Sequence, residues 1–253
     1  MKLYSLMTTA VLIASTSAYY VKNQKSETFS LNVTPVDAGT QEECKTCITF
    51  AGQTINDLLQ FVLQEEVDVC GDLCQIVVDK TGKEALGVIC TILCDVVGIK
   101  EFINAIQKAD LDPIYFCELV PACPINDNGD AHFTSLEVMP KKGPQGEFDI
   151  SFEYVSNNGT GTGMLAISVD TVDGIPLGDD FLNFAQPAGT YDGTIKLDAK
   201  ENPDCDPTQG PCETWEPGTY TIHLSVCNGE CGSNHPHSAI YDTKTTTFEI
   251  TQN

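Results

Sequence analysis

The amino-acid sequence predicts an α + β chain of two units: a disulfide-stapled bundle of four or five helices, followed by an all-β sandwich. Three observations carry that prediction. Eight cysteines fall between residues 44 and 123 in four spaced pairs: Cys44-x2-Cys47, Cys70-x3-Cys74, Cys90-x3-Cys94 and Cys117-x5-Cys123. Apolar residues recur with helical period over 41–124 and with period two over 125–253. The twelve cysteines are even in number, which suits an oxidising compartment in which all are paired.

Residues 1–18 read as a secretory signal peptide. Lys2 supplies the positive start, Leu6 to Ala14 an apolar run too short to span a bilayer, and Thr16-Ser17-Ala18 the small residues of a cleavage site. Residues 19–40 are polar and lack periodicity, and they are expected to form a mobile leader carrying the sequon Asn32-Val33-Thr34.

The helical unit is assigned to 41–124. Cys44, Cys47, Ile48, Ala51, Ile55, Leu58, Leu59 and Val62 make one stripe of a first helix. A second carries Cys70, Leu73, Cys74, Val77 and Val78 and ends at Thr81-Gly82. A third is apolar on two sides: Leu86, Ile89, Cys90, Leu93, Cys94 and Val97 on one, Val88, Ile92 and Val96 on the other. That pattern predicts a central, buried helix, with lipid or partner contact by an opened bundle as the competing reading. Ile99, Phe102, Ile103 and Ile106 give a fourth helix, and Asp112 as cap with Pro113 at the first helical position opens a fifth. Because i, i+4 spacing puts both sulfurs on one helix face, an antiparallel hairpin of the second and third helices would bring Cys74 to Cys90 and Cys70 to Cys94.

The β unit, 125–253, begins after Cys123-Pro124 in the turn-rich run Asn126-Asp127-Asn128-Gly129-Asp130. Alternating runs occur around Leu136 and Val138, at Phe148 to Tyr154, Leu165 to Val169, Ile195 to Leu197, Tyr220 to Val226 and Phe248 to Ile250. Six or seven strands, with Pro217-Gly218-Thr219-Tyr220 reading as a tyrosine corner, predict an immunoglobulin-like sandwich. Cys205 with Cys212 and Cys227 with Cys231 are expected to close loops by bridges. Asn158-Gly159-Thr160 is a second sequon in a surface loop, so Asn32 and Asn158 are the expected glycosylation sites.

Charge and motif content exclude several functions. The formal net charge is −23, with thirteen lysines and no arginine. Such a field repels polyanions and offers no guanidinium fork for phosphate, so nucleic acid is excluded as a partner. Residues 41–124 hold fourteen Asp and Glu against five Lys and no histidine. Contact with anionic lipid is therefore expected only at low pH, as in an acidic vesicle, where carboxylates near pH ~4 lose charge. Cys231-x3-His235-Pro236-His237 invites a metal reading, as do Asp127 to Asp130 and Asp170 to Asp180 for Ca²⁺; a bridge and ordinary turns account for them, and no metal or cofactor is expected. His132, His223, His235 and His237 all lie in the β half without a Gly-x-Ser-x-Gly motif, so no catalytic residue is assigned and the chain is expected not to be an enzyme.

The cysteine spacing over 41–124 resembles the saposin-like (saposin B-type) family, with Cys-x2-Cys opening, a middle pair, and Cys-x5-Cys closing. The resemblance implies bridges Cys44–Cys123, Cys47–Cys117 and Cys74–Cys90, leaving Cys70 and Cys94 as an additional pair. The order of signal peptide, saposin-like unit and acidic β unit is similar to the countin family of social amoebae. That resemblance implies a secreted component of a multi-protein counting factor that regulates cell number, aggregate size and adhesion during development. Its partners would be other secreted proteins. A lipid-binding or membrane-perturbing effector of acidic vesicles is the alternative.

Overall fold

The computed structural model describes residues 28–33, 41–64, 67–208 and 211–252. The expected signal segment 1–18 and most of 19–40 lie outside the described residues.

Five helices run in sequence: α1 (Gln41–Val62), α2 (Cys70–Thr81), α3 (Glu84–Val97), α4 (Ile99–Ala109) and α5 (Pro113–Leu119). Helix α1 buries Cys44, Cys47, Phe50, Ala51, Ile55 and Leu58 along one stripe, against Leu73, Phe102, Ile106 and Phe116 of the others. Gly82 ends α2 in the left-handed region at φ +67°, where a side chain is strained, and turns the chain into α3. At Gly87 a Cβ would collide with Val78, so glycine sets how closely α2 and α3 approach. Asp112 caps α5 by accepting the Tyr115 N–H at 2.9 Å.

Four bridges tie these helices: Cys44–Cys123, Cys47–Cys117, Cys70–Cys94 and Cys74–Cys90. The first two fasten α1 to the end of α5, and the second two fasten α2 to α3 one turn apart. All twelve cysteines are paired, the remaining bridges being Cys205–Cys212 and Cys227–Cys231.

The third helix departs from expectation. Helix α3 buries Leu86, Cys90, Leu93 and Cys94, but Val88, Ile92 and Val96 are 60%, 58% and 66% exposed. With α2 bridged to one face, nothing among the described residues covers the opposite face. It is a rim helix with an apolar outer row.

The β part comprises β1 (Phe29–Val33), β2 (His132–Met139), β3 (Lys142–Gly143), β4 (Gly146–Ser156), β5 (Gly163–Asp170), β6 (Pro176–Asn183), β7 (Gly189–Ala199), β8 (Gly218–Asn228) and β9 (Ala239–Ile250). One sheet has the order β1-β7-β4-β2, the other β3-β9-β8-β5-β6. Every pairing between these strands is antiparallel except β3 with β9. The inner faces share one core, in which Phe148 of the first sheet meets Phe248 of the second at 4.4 Å between ring centroids. Tyr220 is fully buried, and its hydroxyl donates to the Glu216 carbonyl at 2.8 Å, pinning the entry to β8.

Two stretches differ from the sequence reading. Part of the expected leader, Phe29–Val33, is a strand: it pairs with β7 from Phe29↔Leu197 to Val33↔Gly193, and Phe29 is buried in the sheet core. Phe29, Leu31 and Val33 alternate, but five residues in an otherwise polar stretch are too short a run to stand out as period two. The helical unit is consequently inserted between two strands of the β part. The stretch Asp170 to Asp180, read as turns, contains β6; Pro176, Gly178, Asp179 and Asp180 disfavour strand, but an edge position tolerates them.

Candidate functional site

The residues that carry chemistry converge where α5 meets the loop between β8 and β9. Asp112 is 3% exposed, and each of its oxygens has a separate task. Oδ1 caps α5, while Oδ2 accepts from Ser233 Oγ at 3.0 Å and faces His235 Nδ1 at 3.2 Å. Since a carboxylate only accepts, both the serine hydroxyl and Nδ1 donate to it. The His235 ring stacks on Tyr115 with centroids 4.7 Å apart and 16° between planes. Two residues on, His237 has φ +68° and places Nδ1 2.7 Å from Asp127 Oδ1.

Glu118, one turn past Tyr115, is 5% exposed, and its Oε1 has no hydrogen-bond partner among the described residues. Burial, reinforced by the charges of Asp112 and Asp127, pushes its carboxyl up to about 8. At neutral pH it is therefore mostly a neutral acid. Nearby, the backbone N–H of Asn158, aided by Asn157 and Ser156, holds the Asp130 carboxyl below its usual range. Asp130 thereby anchors the loop between β4 and β5.

Serine, histidine and aspartate meet here, but not as a nucleophilic relay. Ser233 Oγ lies 3.0 Å from the same Nδ1 that faces Asp112, whereas a relay needs them on opposite ring nitrogens. The arrangement is suited to holding two units together. A second contact lies alongside: Phe184, after β6, packs on the helical core, and Thr162 Oγ1 donates to the Pro124 carbonyl at 3.1 Å. Gln41, Cys44, Pro124, Thr162, Phe184 and Ala185 line a cavity of about 30 Å³ there, room for about one water.

The residues singled out from sequence are dispersed. Cys231 is bonded to Cys227, and His235 and His237 face separate carboxylates; among the described residues no group of three or more His, Cys, Asp or Glu is placed to hold a metal ion. Asn32 is exposed on β1 and Asn158 is exposed in the loop between β4 and β5. Glu118, Tyr115 and Ser233 carry no sequence signal for a site. Asp112 reads as a cap and His235 as a metal candidate, and nothing local connects residues 123 positions apart.

The fold and its junction define a class: disulfide-rich α + β proteins in which a helical unit is inserted into, and docked on, a two-sheet unit. Residues 38–121 match the profile described as the Countin N-terminal domain, and residues 131–253 that of the Countin C-terminal domain. The chain belongs to the countin family. It is 36% identical to Countin-1 of Dictyostelium discoideum over 211 residues, covering 83% of this chain and 78% of that protein. Countin-3 of the same organism is 32% identical over 211 residues, 83% of this chain and 90% of the relative. A superposition on the Pseudomonas fluorescens alkylpurine DNA glycosylase AlkC bound to DNA gives a TM-score of 0.38 at 11% identity, over 72% of this chain and 47% of that one, and carries nothing about function.

Proposed function

We propose that the protein is a secreted signalling component that acts within a multi-protein assembly and regulates group size and adhesion of developing cells. The observation that carries this reading is the match to countin proteins across both units, at 36% identity to Countin-1. The signal-like start and the pairing of all twelve cysteines support secretion. The helical unit, with its cysteine spacing and bridges, fits a saposin-like domain. The two sheets with the Tyr220 corner fit an immunoglobulin-like sandwich. Glycans at Asn32 and Asn158 belong to the same reading, both asparagines being exposed.

Conditioned medium from expressing cells is the material for the test. Size fractionation should place the protein in an assembly larger than its own chain, and loss of the gene should change aggregate size. A monomer confined to acidic vesicles would reject the proposal.

The exposed row Val88, Ile92 and Val96 favours a second reading, lipid contact by α3 in acid. Leakage from anionic liposomes should then be greater at about pH 4.5 than at neutral pH, because carboxylates lose charge near pH ~4. Equal leakage at the two pH values would remove it.

A further inference from the structure

We infer that the contact between α5 and the loop 229–238 is an acid-tightened latch, holding the helical and sheet units docked in mildly acidic medium and loosening as the medium turns alkaline. The geometry supplies both halves of the device. On the helical side stand Asp112, Tyr115 and Glu118 of α5. The connecting segment brings Asp127 and Asp130, the loop brings Glu230, His235 and His237, and β9 contributes Tyr241, whose hydroxyl accepts from Gly161 N at 3.3 Å. Charges acting on Glu118 come from Asp112 and Asp127, both acidic. His235 faces Asp112 and His237 faces Asp127, so the loop is held to the same two carboxylates.

Glu118 carries the switch. As a neutral acid it adds no charge beside Asp112 and Asp127. On losing its proton it becomes a third carboxylate there, buried and with no hydrogen-bond partner for Oε1 among the described residues.

The sign for Glu118 follows from linkage. Its carboxyl titrates higher when docked, near 8, than the ordinary 4.5, so docking is fully favoured below the lower value. That contribution is lost progressively as pH rises toward the higher one. Carboxylates held low by hydrogen bonds, such as Asp130, have no part in this window.

Amide hydrogen exchange on the intact mature chain tests the latch, read as protection factors so that intrinsic pH effects cancel. Between about pH 5.5 and about pH 8.5, protection at 124–131 and 229–238 should fall by about tenfold or more, while β4 and β8 stay unchanged. Glu118→Gln should retain the protection at the higher pH, and His235→Gln should lose part of it at the lower. Flat protection in the native chain, or a Glu118→Gln chain that loosens as the native one does, would overturn the inference. Should Glu118→Gln fail to fold, as reported by the helical circular-dichroism signal, His235→Gln decides: native protection at the lower pH in that variant would also overturn it.

Discussion

The helical and sheet units solve the same problem of stability by different means. The helical unit has five helices, one of which leaves its outer row bare, and it carries four of the six bridges. The sheet unit buries Phe148, Phe248, Tyr220 and Trp215 in a continuous core, and its two bridges close loops of separation 7 and 4. Bridges that close long loops restrict the unfolded chain more, about 4 kcal/mol for Cys44–Cys123 against about 2 for Cys227–Cys231 on the loop-entropy estimate. One unit thus adds covalent constraint to its buried core, and the other relies on burial. A cell that reduced both would lose the first and keep the second.

The largest effect should come from removing the outer staples. Replacing Cys44, Cys47, Cys117 and Cys123 with Ala removes two bridges, each worth roughly 2–5 kcal/mol. The helical circular-dichroism signal should melt far earlier. Trp215, the sole tryptophan and 2% exposed in the sheet core, should keep its native fluorescence. Loss of both signals together would erase the contrast. Next, Phe248→Ala should cost the sheet unit about 3–5 kcal/mol through lost contacts and a cavity, lowering the Trp215 transition while the helical transition stays put. Smaller is Tyr220→Phe, which forfeits the bond to the Glu216 carbonyl and should cost about 1 kcal/mol by denaturant titration. Least of all, Ile92→Ser should change stability by no more than about 0.5 kcal/mol, since the side chain is already 58% exposed. A large loss there would mean that the outer row of α3 is packed against something in solution.

The contrast also explains what could be read from sequence. The bridged hairpin was legible because i, i+4 spacing is a local property, and so was β4, where Phe148, Ile150, Phe152 and Tyr154 alternate without interruption. The outer face of α3 was not legible: an all-round apolar helix suits the middle of a bundle, and whether neighbours reach both sides is a tertiary fact. Strand β6 was hidden by Pro176, Gly178 and two aspartates, which only an edge tolerates. Strand β1 was hidden by its brevity. The junction was the least accessible, because Asp112, Glu118 and His235 acquire their roles only when distant segments meet.

That edge strand bears on how the chain is made and cut. Phe29 lies against Leu197, so β1, made first, has no partner until the whole helical unit and most of the β part, β7 included, have left the ribosome. Until then β1 carries unpaired backbone groups, ready to pair with a strand of any neighbouring molecule. A fragment beginning at residue 125 would instead leave the edge of β7 unpaired. Its failure to behave as a monomer would reflect the missing five residues far upstream, not an intrinsic wish of the sheet unit to associate.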